Sequence, residues 1–223
     1  MKTKIHKSNI LLVKNLCITY GKKKILSDVN FDISAGEIVC LIPNGAKSSL
    51  IQCLLTHSSF TKVTRTGTRL YVPQKTSFSP YFSLQVKDFF ALHTQVIDQL
   101  ELQNLIKKFT IQLLETKLSD LSEIQKVLLV YALMSNPELL ILDEPTAIDV
   151  LEKTFYSTLL DVAKKTAVLL VSHDVHAVLA CADKILFLHA CSCCVEHIHS
   201  SPVHSTVLEY LAPFLHTHQQ CKH

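Results

Sequence analysis

Two acids at the end of an apolar run are the strongest chemical signal in the chain. In LLILDEPTAIDV, four apolar residues lead to Asp143 and Glu144, and Pro145 then stops the strand. Adjacent carboxylates at the carboxyl end of a buried strand lie where open α/β sheets bind ligands. Phosphoryl transfer needs one acid to hold a divalent cation and another to orient or deprotonate the attacking water. A second run, VLLVSHDVHAV, ends in Ser172-His173-Asp174. His173 is placed to hydrogen-bond a γ-phosphate or the attacking water, while Ser172 or Asp174 also suits a helix cap. A third run, LYVPQ, ends in Gln74, whose amide can reach a cation or a water. Taken singly, each has an ordinary structural explanation; together they describe one site.

The fourth stretch is CLIPNGAKSSL, Cys40 to Leu50. An apolar strand runs into a turn, and Lys47-Ser48-Ser49 then opens a helix. That is the layout of a phosphate-binding loop, whose pattern is G-x-x-x-x-G-K-[ST]. Here only Gly45 is present, and Ala46 directly precedes Lys47. The chain is short of glycine throughout. It has 4, where an average composition would give roughly 15.

These residues must be held by strands and helices that the pattern also predicts. Ile10 to Thr19 and Ile25 to Ile33 read as strands joined by a turn at Tyr20 to Lys24. Glu37 to Ile42 is a third strand, Ser48 to Thr56 a short helix, and Arg69 to Val72 a short strand before a loop. From Leu84 to about Ser135, apolar residues recur at helical spacing, as in Val86-Phe89-Phe90 and Val127-Val130-Tyr131-Met134. Glu138 to Leu142, Ala167 to Val171 and Lys184 to Leu188 are continuous apolar runs, the mark of parallel strands buried on both faces. Helices are expected between them at Val150 to Lys165 and Val175 to Ala182. The expected architecture is an α/β core, residues 1–83 and 136–190, with a helical subdomain inserted at 84–135 and an extension at 191–223.

Composition narrows the function classes. The 223 residues suit one domain or a core with a subdomain, and 48% hydrophobic residues are ample for a core. A net charge of +3 is too mild to argue for nucleic acid, and no nucleic-acid partner is expected. No apolar run approaches the ~18 residues of a membrane span. The basic start, Met1 to Lys7, is not followed by a signal-peptide pattern, so a cytosolic chain is expected. Its 8 cysteines then read as thiols or metal ligands rather than disulfides.

In order and spacing, these motifs resemble the ATP-binding subunit of the ABC transporter family over essentially the whole chain. The resemblance implies a P-loop NTPase (RecA-like) core with an N-terminal antiparallel β part and an inserted helical subdomain. It implies ATP and Mg²⁺ as cofactors. Tyr20 matches the aromatic that stacks on adenine. Pro43, Asn44, Gly45, Ala46, Lys47, Ser48 and Ser49 match the phosphate loop. Ser48, Gln74 and Asp143 match the Mg²⁺ side, Glu144 the catalytic base and His173 the switch histidine. Ser122, in LSEIQKVLLVYAL, matches the signature that faces the other subunit's ATP, and Asp149 the D-loop acid. The resemblance further implies a homodimer of ATP-binding subunits. It also implies an integral membrane permease and, indirectly, a periplasmic or extracellular metal-binding protein. The chain would then lie peripherally on the cytoplasmic face of the inner membrane.

The departures from the family pattern share one character. A glycine is absent between Ile42 and Pro43, between Ala46 and Lys47, twice between Ser122 and Glu123, between Ala147 and Ile148, and between Leu70 and Tyr71. Glycine permits positive φ and lets backbone N–H groups approach phosphate oxygens without a Cβ in the way. Shortened loops of this kind are expected to bind Mg-ATP poorly. They leave open a catalytically impaired scaffold that keeps the fold.

Within the family, the length and the run SHDVHAVLACADKILFLHACSCC look most like the ATPase of zinc or manganese importers. The carboxyl end is rich in Cys and His, including Cys191, Cys193, Cys194, His197 and His199. Such spacings can bind zinc, but a solvated tail without fixed geometry is the favoured expectation. Tyr81 and Phe82 follow the Gln74 loop, where the family docks a helix of its membrane subunit; packing into the helical block is the equal alternative.

Overall fold

The computed structural model describes residues 9–43, 46–56, 63–65, 67–76, 78–79, 81–92, 98–109, 111, 114–120, 124–145, 152–174, 179, 181–188 and 193–197. Two long strands, β1 (Asn9–Tyr20) and β2 (Lys23–Ser34), pair antiparallel through the turn at Gly21. β3 (Ile38–Pro43) leads to α1 (Lys47–Leu55), and β4 (Val63–Arg65) adds a third strand against β1. β5 (Arg69–Val72) precedes three helices, α2 (Val86–Ala91), α3 (Gln99–Lys108) and α4 (Ile124–Met134). Then come β6 (Leu139–Asp143), α5 (Glu152–Ala163), β7 (Ala167–Val171), β8 (Lys184–Leu188) and β9 (Cys193–His197).

The strands form two sheets. One is antiparallel in the order β2-β1-β4; the other has six strands in the order β5-β6-β7-β3-β8-β9. In the larger sheet β5 to β8 run parallel, and β9 closes the edge antiparallel to β8. The parallel strands are apolar on both faces because both faces are covered. Cys40, Ile42, Leu140, Leu142 and Leu170 join the core that holds α4 and α5. Their neighbours Val39, Leu41, Ile141 and Leu169 join the core shared with α1 and the antiparallel sheet. Lys184, buried at the start of β8, ties the two sheets. Its Nζ lies 2.9 Å from Glu37 Oε1 and 3.1 Å from Asp32 Oδ2 on β2.

The helical block at 84–135 contains α2, α3 and α4, as its spacing predicts. Val86, Phe90, Leu102, Leu105, Val127 and Val130 are buried. α3 starts at a side-chain cap, for Asp98 Oδ1 accepts from Leu100 N at 2.8 Å and Glu101 N at 3.1 Å. Two strands were not expected. β4 is three residues long, and β9 lies inside the segment read as a solvated Cys/His extension. The backbone of Cys193, Cys194 and His197 is therefore a sheet edge, while the rest of that segment and most of the helix expected at Val175 to Ala182 lie outside the described residues.

Gly67 has φ +69°, and a Cβ there would stand 1.9 Å from the Glu138 carboxyl carbon. That position, just before β5, tolerates no other residue without displacing Glu138.

Candidate functional site

Four strand ends converge on one edge of the larger sheet. β5 ends before Pro73 and Gln74, β6 ends in Asp143, β7 runs into Ser172 and His173, and β3 ends in Pro43. Because the sheet order places β5, β6, β7 and β3 side by side, these residues become neighbours although up to 130 residues separate them in sequence (Pro43 to His173).

Lys47 opens α1 and reaches across this edge. Its Nζ stands 3.0 Å from Asp143 Oδ1. The other Asp143 oxygen accepts a hydrogen bond from the Tyr71 hydroxyl at 3.2 Å. Burial, then the Asp143 charge and this hydrogen bond, push the Tyr71 pKa up to about 12, so the phenol stays a donor. Glu144 is 9% exposed, and its Oε1 lies 3.3 Å from His173 Nε2. The His173 backbone N–H donates to the other Glu144 oxygen at 3.4 Å. Burial raises the Glu144 pKa, and His173 and Lys47 offset part of that rise. A buried carboxylate with raised proton affinity beside a histidine has the character of a general base.

Backbone geometry sharpens the site. Five non-glycine residues among those described have positive φ. Three are Asn15, Asp28 and Asn136, types that tolerate it. The other two are Ala46 (φ 54°) and Glu144 (φ 48°), both at this edge. The first-turn N–H groups of α1, like those of any helix, have no intrahelical partner, and the N-cap residue, Ala46, offers no side chain to cap them. Such N–H groups, with the helix dipole behind them, attract anions. A cavity of about 400 Å³ opens there, lined by Pro43, Ala46, Lys47, Ser48, Ser49 and His173.

Of the residues singled out in sequence, the fold therefore brings together Pro43, Ala46, Lys47, Ser48, Ser49, Asp143, Glu144 and His173. Gln74 sits exposed at the end of β5, on the same edge. Tyr20 stands apart at the end of β1, 59% exposed and not lining the cavity. Asn44, Gly45, Ser122 and Asp149 lie outside the described residues. Tyr81 is 94% exposed, which removes packing into the helical block as its role, and Phe82 stacks on Phe78 with ring centroids 5.0 Å apart.

Two contributors escaped the sequence reading. Tyr71 stands in the LYVPQ run, but nothing in the sequence gives its hydroxyl a partner. Gln125, on α4, points its Nε2 at Pro73 O (3.1 Å), Asp143 O (3.3 Å) and Glu144 O (3.5 Å). It thereby ties the helical subdomain to the roots of Gln74 and of both acids. Its signal was available, since a lone amide on the otherwise apolar face of an amphipathic helix has to find polar partners inside.

A strand–loop–helix with a lysine at the helix start, beside a strand ending in two acids, defines a P-loop nucleotide hydrolase. The family model described as ABC transporter matches residues 26–147. The zinc import ATP-binding protein ZnuC of Photorhabdus laumondii subsp. laumondii is 35% identical over 221 residues, covering 94% of this chain and 85% of that protein. The protein of the same name from Magnetococcus marinus is 33% identical over 239 residues, covering 98% of this chain and 92% of its own length. A solved ATP binding subunit of an ABC transporter shares the fold with a TM-score of 0.74 at 22% identity, covering 92% of this chain and 93% of that one. The chain belongs to the ABC transporter family, and binding and hydrolysis of ATP in the service of transport come with that membership.

Proposed function

We propose that the chain is the ATP-binding, energy-coupling subunit of a zinc importer and works through an integral membrane permease. The observation that carries the nucleotide side is the convergence of Lys47, Asp143, Glu144 and His173 on one sheet edge. The zinc side rests on the 35% identity to zinc import ATP-binding proteins over nearly the whole chain.

The N-terminus of α1 and the Lys47 ammonium hold the β- and γ-phosphates of ATP. Mg²⁺ fits the remaining donors. Asp143 Oδ1 is buried, accepts no hydrogen bond and already faces a cation, the Lys47 ammonium. Ser48, Gln74 and Asp143 supply the oxygen ligands that a hard divalent ion takes. When bound, the ion neutralises charge on the phosphate oxygens. Glu144 accepts the proton of the attacking water, and His173, hydrogen-bonded to Glu144, steers the γ-phosphate side. Tyr20 offers an exposed ring for adenine.

In this reading two copies close around ATP, with Ser122 and Asp149 of each copy completing the other's site. Tyr81 and Phe82 supply an exposed aromatic contact for the permease. No described helix is long and apolar enough to cross a membrane. The chain would therefore reach the cytoplasmic face of the membrane through its permease, which receives the ion from a periplasmic or extracellular metal-binding protein. The test is ATP-driven uptake into vesicles that contain the chain and its membrane partner. Zinc accumulation that disappears with Lys47→Ala is expected. Accumulation of manganese but not zinc would move the substrate, and ATP-independent uptake would overturn the reading.

A further inference from the structure

Asp143 is gripped on both carboxylate oxygens, and the two grips differ in kind. Lys47 holds Oδ1 from the end of a flexible side chain on α1. That ammonium is the group an incoming phosphate recruits. Tyr71 holds Oδ2 through a rigid ring on β5. The β5 strand pairs in register with β6, Tyr71 opposite Ile141 and Val72 opposite Leu142, so the phenol is fixed relative to the strand that carries Asp143. The Tyr71 ring also packs against the core beneath the sheet, which leaves its hydroxyl little freedom.

We propose that Tyr71 is a positioning residue for the divalent-cation site, its hydroxyl holding Asp143 Oδ2 so that Oδ1 keeps facing the ion when Lys47 turns to phosphate. The inference rests on the ATP-binding reading above and adds a residue to it. Carboxylates that bind a metal are commonly oriented by a second hydrogen bond, and its removal typically lowers metal affinity or activity by about 10–100-fold. The motif around Gln74 includes Tyr71 but gives it no role. The hydroxyl–carboxylate distance does.

The test substitutes Tyr71→Phe in the full chain, which removes one oxygen and keeps the ring. A fluorescent ATP analogue is titrated with Mg²⁺ held at zero by a chelator, then with Mg²⁺ varied at fixed nucleotide. Binding of Mn²⁺ in the presence of ATP is followed by electron paramagnetic resonance. Metal-free nucleotide affinity should match the unsubstituted chain. The Mg²⁺ midpoint and the Mn²⁺ dissociation constant should rise by about 10-fold or more, and kcat should recover at saturating Mg²⁺. In an Asp143→Ala background, which leaves no side-chain acceptor for the Tyr71 hydroxyl, the same change should shift the Mg²⁺ midpoint no further. An Mg²⁺ midpoint equal to that of the unsubstituted chain would overturn the inference alone. So would an equal loss of affinity with and without metal, the mark of a merely structural role. If the unsubstituted chain shows no Mg²⁺-dependent nucleotide binding, the ATP-binding reading falls and the inference falls with it.

Discussion

The ends of β3 and β6 face the same cavity edge and solve the same backbone problem differently. At the β6 end, Glu144 holds φ 48° immediately before Pro145, a place where extended backbone is favoured. Its surroundings fix it there. Its N–H donates to Val171 O at 2.9 Å, its carbonyl lies near Gln125, and its carboxylate meets His173. At the β3 end, Ala46 holds φ 54° with no side-chain cap at all. It takes the left-handed turn at the junction where the family pattern has one more glycine. The lesson is that strain is retained where a network of bonds over-determines it, and is merely tolerated where a shortened loop leaves no other path.

The largest effect should come from the networked end. Glu144→Gln is expected to keep nucleotide binding and to lower turnover by about 10²–10⁴-fold, the usual contribution of a general base. Phosphate release under single-turnover conditions checks it, and unchanged turnover would remove Glu144 from that role. The same variant carries a pH signature. The folded Glu144 pKa is raised by burial, so the folded chain takes up a proton that the unfolded chain does not. This group's contribution to stability is therefore present at acid pH and is lost as pH rises through the folded value. Glu144→Gln should flatten that part of the Tm-versus-pH curve and should not lower Tm at neutral pH.

Next is the shortened end. Inserting glycine between Ile42 and Pro43 and between Ala46 and Lys47 should tighten Mg-ATP binding. Each regained charge-assisted hydrogen bond is worth about 1.5–3 kcal/mol, roughly tenfold or more in affinity. Calorimetric titration of both chains compares them directly. If the chain without insertions already binds as tightly, the α1 N-terminus and Lys47 suffice, and the two ends are less different than their backbones suggest.

Gln125→Leu strikes the network without touching either acid. It removes the donor facing the Pro73, Asp143 and Glu144 carbonyls, and should destabilise the fold by about 1–3 kcal/mol. Urea unfolding measures it. An unshifted midpoint would mean that water replaces the amide and that Glu144 is held by Val171 and His173 alone.

The smallest effect belongs to Ala46→Gly. Relieving a left-handed alanine is worth roughly 1 kcal/mol, partly offset by the greater freedom of glycine when unfolded. A small rise in Tm is expected. A fall would show that the alanine methyl, which packs beside the core under α1, contributes more than the strain removes.

The central strands were legible because burial on both faces demands unbroken apolar runs, and a run such as Ala167 to Val171 has few other readings. The acids and His173 were legible because they close such runs, and Lys47 because it opens the helix after the turn that ends one, at places where polar residues have chemical uses. β4 and β9 were not legible. They are short edge strands held by pairing with one neighbour, β4 with β1 and β9 with β8, and a partner distant in sequence is not announced by the residues of the strand itself.

Local pattern accounts for the order of the central strands and of the helices between them, the two buried faces of the sheet and the types of residue at those strand ends, since periodicity is a property of neighbours along the chain. Which strand ends become adjacent is a matter of sheet order, and no local pattern encodes it. Lys47 meets Asp143 across β7, Tyr71 reaches Asp143 from β5, and Gln125 reaches both acids from the helical subdomain only once β5, β6, β7 and β3 lie side by side. Those contacts are long-range in sequence and short-range in space, so they exist only in the folded molecule.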